Sequence, residues 1–364
     1  MVGFDGKDKT FMERAFELAL KGWGRVSPNP MVGAVLVKDG KIVGEGYHKN
    51  YGGPHAEVNA IKDAGDSVNG STIYLNLEPC THYGNTPPCA DAIIRAGIKE
   101  VVCSNRDMDP RVLGKGFRKL RRSKIKVRIG LMRDEGLKLN EIYFKNKLTA
   151  KPFVTVKAAM SLDGYIYSPS FGDRYLSGRN FLKYVHKLRS GYDAVLVGAN
   201  TAIVDDPSLT VRHIRGHNPN RIIISDGKKL PSNLKLFSNK TNRLRTIIAI
   251  SSNVYGKGFE ISNGVEVWVL ESKSKRFSIN ALLERAAEEN INSILVEGGG
   301  EVFNSFLKEK AVDKIILSHT PYIFGKGTHF INGGAFGLKI IDFDDFSWET
   351  MGKDSVFIGY PKYN

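Results

Sequence analysis

Cysteine is scarce in this chain, with three among 364 residues. A small, odd count excludes a disulfide-stapled fold and points to a reducing compartment. Cys103, inside the apolar run Val101-Val102-Cys103, is expected to be buried in a strand. Long apolar runs are also missing: no stretch approaches the roughly 20 residues that span a bilayer. Residues 1–10 have neither an apolar core nor a cleavage pattern, so no secretory signal is expected. Acidic side chains are in deficit, 38 against 53 Lys and Arg, leaving a formal charge of +15. Such a balance suits nucleic acid, a membrane surface or anionic metabolites. The cations are mostly dispersed. The dense run Arg118-Lys119-Leu120-Arg121-Arg122, with Lys124, Lys126 and Arg128, has only Phe117 as an aromatic neighbour. That is too little stacking surface for single strands, and the run reads as a solvated face. Internal repeats and low-complexity segments are absent. The expectation is a cytoplasmic α/β protein of two domains, with neither nucleic acid nor membrane as partner.

What is present is concentrated. His55-Ala56-Glu57, Pro79-Cys80 and Cys89 fall within a 35-residue window, 55 to 89. One imidazole and two thiolates give a tetrahedral zinc three ligands and leave one position open for water. Zinc brings the pKa of such a water to about 7. Glu57 follows the histidine by two residues, close enough to shuttle a proton without being a ligand. His-x-Glu followed by Pro-Cys and a second Cys is the zinc deaminase signature. A buried histidine with two buried cysteines and no metal is the competing interpretation, and the ordered set with its carboxylate argues against it. Nucleic-acid deaminases separate their cysteines by two residues; here eight intervene, Thr81 to Pro88. A loop of that length can carry contacts to a small polar substrate.

Taken in order, Thr10-Phe11-Met12-Glu13 reads as a capping box opening a helix. Ser27-Pro28-Asn29-Pro30 is extended and leads into a buried strand from Met31 to Val37. Asp39-Gly40 is a hairpin turn before Lys41-Ile42-Val43. His48 precedes His55 by seven residues across the bend Gly52-Gly53-Pro54, which makes it a candidate substrate contact. His55 to Ala64 reads as a helix, Thr72 to Leu77 as a strand, and Pro88 as the first residue of the next helix. Cys89, at that helix start, is expected to have a lowered thiol pKa. This layered domain covers 1–147. Lys151-Pro152 is the boundary, and 151–364 opens a fresh α/β pattern with strands from Phe153, Ala194, Arg221, Thr246, Glu266 and Ser293. Alternation with helices indicates a mostly parallel sheet. Two loops there face ligands by position. Gly298-Gly299-Gly300 lies between a strand and a helix, a place suited to phosphate but also to a tight turn. Asp205-Asp206-Pro207, with Thr210 and Arg212, follows another strand, a place suited to a ligand but equally to a solvated loop.

These stretches, with Pro28-Asn29-Pro30-Met31-Val32-Gly33, Glu78 to Cys89, Lys157 to Gly164, Asp205 to Arg212 and Val296 to Gly300, resemble the bifunctional riboflavin-biosynthesis deaminase–reductase family of bacteria. The resemblance spans nearly the whole chain. It implies a three-layer cytidine-deaminase-like domain followed by a dihydrofolate-reductase-like domain. It implies zinc-dependent deamination of a diaminopyrimidinone bearing a ribosylamino 5′-phosphate, then NADPH-dependent reduction of the ribosyl chain to ribityl. His55, Cys80 and Cys89 would hold zinc, with Glu57 as proton shuttle. Asn29, His48 and His82 would touch the first substrate. Ala159, Ser161, Tyr175, Thr201, Asp205, Ser225, Gly299 and Gly300 match cofactor positions. Asp173, Arg189, Leu209, Arg212 and Glu297 match positions around the second substrate, where the arginines could pair bidentately with phosphate. Lys157 and Asp205 would polarise the ribose. Departures from the family pattern are Tyr175 for a common Trp, Asp173 for a small hydroxyl residue, and Arg111 for a common Asn. A homo-oligomer, dimer or tetramer, is also expected.

Overall fold

The computed structural model describes residues 3–84, 87–172, 175–238, 244–255, 257, 264–331 and 340–363. The chain divides into two compact units, Met1–Ala150 and Lys151–Asn364.

The first unit runs α1 (Gly6–Leu20), β1 (Gly33–Lys38), β2 (Lys41–Tyr47), α2 (Ala56–Ala64), β3 (Thr72–Leu77), α3 (Cys89–Arg95), β4 (Glu100–Asn105), α4 (Lys115–Arg122), β5 (Lys126–Ile129), α5 (Arg133–Leu139) and α6 (Glu141–Thr149). Its sheet has the order β2-β1-β3-β4-β5. The continuous apolar run of β1 follows from burial on both faces. Val35 and Val37 meet Met12, Ala15 and Leu18 of α1. Ala34 and Leu36 meet Ala56 and Ala60 of α2, Ile93 of α3 and Leu120 of α4. Helices on both faces make three layers. Asp39 and Gly40 have φ of 50° and 73°, the left-handed pair that a two-residue hairpin needs. A Cβ on Gly46 would lie 2.3 Å from the Ala56 carbonyl, so α2 sits flush on β2 because that side chain is missing. This seating fixes where the start of α2 projects.

The helix start at Thr10 is corrected. Asp5 caps α1 and exchanges hydrogen bonds with Asp8 in a capping box. The short carboxylates capture the orphan N–H groups one turn earlier, and Thr10 lies inside the helix with its hydroxyl donating to the Gly6 carbonyl. The basic run lies on α4, which buries Phe117 and Leu120 and leaves Arg121 and Arg122 exposed.

The second unit comprises β6 (Phe153–Met160), β7 (Tyr165–Tyr167), α7 (Arg179–Gly191), β8 (Ala194–Gly198), α8 (Ala199–Asp205), β9 (Asn220–Ser225), β10 (Thr246–Ser251), α9 (Ser252–Tyr255), β11 (Glu266–Leu270), α10 (Ile279–Glu288), β12 (Ser293–Gly298), α11 (Gly300–Lys308), β13 (Lys314–His319), β14 (Thr328–His329), β15 (Asp342–Met351) and β16 (Asp354–Lys362). Nine strands form one sheet, β11-β10-β9-β8-β12-β6-β13-β16-β15. It is parallel from β11 to β13, then β16 and β15 join antiparallel. Val156, Ile294 and Val296 pack with Leu282 of α10 and with Phe303 and Phe306 of α11. The α/β class expected for both halves is what the chain shows. The terminal hairpin was not legible, because β15 is a mostly exposed edge strand whose aspartates interrupt the two-residue period. Insertion of β12 between β8 and β6 brings three strand ends together, the usual place for a ligand in such sheets. Among the described residues no helix is long and apolar enough to cross a membrane.

Candidate active sites

In the first unit His55 precedes α2 as its N-cap, Cys80 lies beyond β3 and Cys89 opens α3. His55 Nδ1 is 3.1 Å from Cys89 Sγ and 3.6 Å from Cys80 Sγ. All three ligand atoms lie within 4.8 Å of one another. Ligands of a tetrahedral zinc, about 2.0 to 2.3 Å from the metal, stand about 3.6 Å apart. The set therefore fits zinc in both donor type and spacing.

The expected acidity of Cys89 is reversed. Cys80 accepts hydrogen bonds from the Cys89 side chain and from the Cys89 backbone N–H at 3.3 Å, and its thiol falls to about 4. Cys89 is raised by its bond to Cys80 and by burial. Its own helix-terminal N–H points at Cys80, so the helix start favours that sulfur. Both must lose their protons to become ligands, so metal binding by this set releases protons.

Glu57 occupies the first turn of α2 and is 3% exposed. Burial pushes its carboxyl up, His55 opposes and the Cys80 sulfur reinforces. A carboxyl so placed, beside the ligand set, can take and return a proton. Buried His48 is pushed toward the neutral form, chiefly by desolvation. Its Nδ1 is 3.1 Å from the Pro54 carbonyl, which can only accept, and its Nε2 is 3.2 Å from Asn29 Nδ2. The tautomer is thus Nδ1–H, with Nε2 accepting from Asn29. His82 Nδ1 is buried without a hydrogen-bond partner among the described residues. Glu78, which composition alone did not mark, accepts from the N–H groups of Asp107, Gly114 and Phe117 and so anchors the chain just before Pro79-Cys80.

The second unit holds a cavity of about 950 Å³, at the upper end for small-molecule sites. Lys157 and Ala159 reach it from β6, Thr201 and Asp205 from α8, and Leu209 and Arg212 from the following loop. Ser225 closes it at the end of β9, and Arg189, Glu297, Gly299 and Gly300 complete the wall. Tyr175 stands on the wall at 44% exposure. Ser161 is not among the lining residues: it is buried, its hydroxyl donating to Asp163 at 2.6 Å and accepting from the Tyr165 N–H. Asp173 lies outside the described residues.

Gly299 has φ of 87°, and a Cβ on Gly298 would come within 2.7 Å of Thr201. Only glycine lets the starts of α8 and α11 approach so closely, and the first N–H groups of α11 are left for an anionic ligand. This backbone cradle fits a dinucleotide pyrophosphate. Buried Glu297 is gripped by Arg189, Nε to Oε1 2.5 Å and Nη2 to Oε2 2.8 Å, and by Lys157 at 3.1 Å. Burial alone would raise the carboxyl; Arg189 and Lys157 outweigh it and hold it at about 2. One edge of Arg189 is therefore committed to Glu297, and its Nη1 donates to the Thr210 carbonyl at 3.2 Å. Arg212 is more exposed and touches the hydroxyls of Ser208 and Thr210. His186, on α7 three residues before Arg189, also lines the cavity and was missed. The His-x-x-Arg spacing on one helix face is the pattern that could have found it.

Residues 152–357 match the family described as the RibD C-terminal domain, and residues 5–105 match the cytidine and deoxycytidylate deaminase zinc-binding region. The riboflavin biosynthesis protein RibD of Aquifex aeolicus is 41% identical over 337 residues, covering 92% of either chain. A solved structure from Thermotoga maritima, described as a diaminohydroxyphosphoribosylaminopyrimidine deaminase/5-amino-6-(5-phosphoribosylamino)uracil reductase, is 37% identical. It superposes with a TM-score of 0.85 over 98% of this chain and 99% of its own. Acinetobacter baumannii RibD is 31% identical, with the same TM-score and the same coverage. Zinc in the deaminase half and NADPH in the reductase half are the cofactors of this domain pair. With both domains present and both sites built, the chain belongs to the bifunctional deaminase–reductase family of riboflavin biosynthesis.

Proposed function

We propose that His55, Cys80 and Cys89 hold the zinc, and that Glu57 carries the proton in hydrolytic deamination of 2,5-diamino-6-(5-phosphoribosylamino)pyrimidin-4-one. Zinc, when bound, supplies a Lewis acid that renders water acidic enough to react at neutral pH. Glu57 takes a proton from the attacking water and delivers it to the departing amine, which leaves as ammonia. Neutral His48 orients the Asn29 amide, and Asn29, His48 and His82 hold the pyrimidine edge. The observation that carries this reading is a buried carboxyl, Glu57, two residues from a ligand set whose atoms lie within 4.8 Å.

In the second unit NADPH supplies the hydride. The reading assigns Ala159, Tyr175, Thr201, Ser225, Gly299 and Gly300 to the cofactor, with Ser161 supporting the turn beneath. Lys157 and Asp205 polarise the open-chain ribosylimine, and as its C1′ accepts the hydride a proton from Lys157 goes to the imine nitrogen, leaving a ribitylamino group. Glu297 holds Lys157 and Arg189 in place, Leu209 packs on the sugar and Arg212 meets its phosphate. Metal analysis with an ammonia assay tests the first half: about one zinc per chain is expected, and chelation should abolish ammonia release. Persistence of ammonia release in metal-free protein would sink the assignment.

The reading also includes a cytoplasmic homo-oligomer. It is supported by β15, an edge strand that leaves Phe346 and Trp348 at 54% and 55% exposure beside Phe357. An uncovered aromatic edge invites a partner. Sedimentation at micromolar concentration should show a dimer or larger; a monomer would remove this part.

A further inference from the structure

The loop after α8 is strained and yet fixed. Asp206 and Leu209 have φ of 37° and 50°, a region that non-glycine residues enter at a cost and keep only when their surroundings over-determine it. Leu209 is 2% exposed and, like Arg212, lines the cavity. At one end the loop is tied by Lys235, whose N–H donates to Asp206 at 2.8 Å. At the other end two side chains of α7 hold its backbone. Arg189 Nη1 donates to the Thr210 carbonyl at 3.2 Å, and His186 Nδ1 accepts the Arg212 N–H at 3.0 Å. The pair grips one acceptor and one donor two residues apart, as a neighbouring strand would. Arg189 is fixed by Glu297. His186 is buried, and its ring meets His213 edge-on at 4.5 Å.

We propose that His186 is a positioning residue for the reductase step: its Nδ1 fixes the backbone of Arg212 and so aims that guanidinium at the substrate phosphate. The proposal rests on the reading of Arg212 given above and deepens it. Nδ1 can accept only when the ring is neutral with its proton on Nε2. Burial, then Arg189, His213 and Arg212, hold the ring's pKa near 4, while Glu297 on β12 opposes them. The acceptor therefore persists throughout the physiological range. No atom of His186 takes part in hydride or proton transfer, so its loss should register in substrate binding.

The test uses the full-length enzyme loaded with zinc and assayed with NADPH and the deaminated phosphoribosylamino pyrimidine. His186→Phe keeps a ring but leaves the Arg212 N–H without its acceptor. The substrate KM should rise about tenfold, with kcat within about threefold and with NADPH affinity (read by fluorescence) and ammonia release unchanged. His186→Asn places an amide oxygen close to where Nδ1 stood and should restore the KM to within about twofold. An unchanged KM in His186→Phe overturns the proposal. So does an Asn variant as impaired as Phe, or a fall in kcat at constant KM. Should the Phe variant fail to fold, His186→Leu repeats the comparison with a smaller apolar side chain. Arg212→Ala separates the two layers: a normal KM there sinks the reading of Arg212 and this proposal with it. A raised KM in Arg212→Ala, beside a normal one in His186→Phe, removes only the role of His186.

Discussion

In the first unit the chemistry proposed above is carried by Glu57 beside His55, Cys80 and Cys89, the last three with ligand atoms inside 4.8 Å of one another. In the second it is spread along the cavity wall from Lys157 to Gly300, around a space of about 950 Å³. The difference follows from what each step must hold. A metal ion brings its own charge and needs only donors of the right type at fixed spacing. Hydride transfer needs two sizeable anions held face to face, so the protein must supply a long wall, a backbone cradle and several cations. Charge is also handled differently. At the first site the buried carboxyl, Glu57, has its pKa raised by burial. The second buries Glu297 and depresses it to about 2 by surrounding it with Arg189 and Lys157.

The largest expected effect comes from breaking the compact site while sparing the extended one. Cys80→Ser should lose zinc by metal analysis and abolish ammonia release, while NADPH oxidation with pre-deaminated substrate continues. Glu57→Gln should keep its zinc yet release ammonia about a thousandfold more slowly. Its reductase rate should match that of the unaltered protein. If either variant stops both reactions together, the two sites are not independent and the contrast between them fails.

Next is the ion cluster. Glu297→Gln strands Arg189 and Lys157 in a buried place, which costs about 3 kcal/mol when one partner of such a group is removed. Urea unfolding should show that loss, and NADPH oxidation should fall about a hundredfold. The counterpart in the first unit is Asp8. It accepts from both Nη atoms of Arg128, at 2.6 and 2.9 Å, and from the Tyr74 hydroxyl at 2.7 Å. Asp8→Asn should cost about 2 kcal/mol. Both carboxyls are depressed on folding, so each contributes stability above its unfolded pKa and loses it on acidification. The windows run from 4.5 to about 2 for Glu297 and from 3.8 to about 2 for Asp8. Each substitution should flatten the acid-induced loss of stability for its own unit alone. An acid profile unchanged by both would show that neither carboxyl is depressed.

The same contrast in scale explains how far each half could be read from sequence. Zinc ligands come from a few residue types, here His and Cys, and they lie close along the chain, so residue type and spacing together brought out His55, Cys80 and Cys89. Lys157, Arg189, Arg212 and Glu297 are ordinary residue types far apart in sequence. Only the insertion of β12 between β8 and β6 brings them together. Resemblance named them where periodicity could not. His186 and Glu78 act by hydrogen bonds to backbone amides, a role that leaves no composition signature. Cys89 shows the opposite failure. Its place at a helix start was correctly anticipated, but which sulfur its N–H would serve depended on where the loop put Cys80.

The smallest effect is expected on α4, and it sharpens the comparison by separating functional charge from solvated charge. Arg121 and Arg122 are exposed; Arg121 Nη2 donates to the Val127 carbonyl at a long 3.4 Å. The double substitution Arg121→Gln, Arg122→Gln should alter stability by less than about 0.5 kcal/mol. It should leave both KM values within about twofold at physiological ionic strength, where charges beyond about 8 Å are screened. A KM that rises only at low salt would indicate that this helix steers anionic substrate by its field. A KM that rises at all salt concentrations would instead give the basic face a direct part in binding, and charge on this chain would then have to be read as functional well outside its two sites.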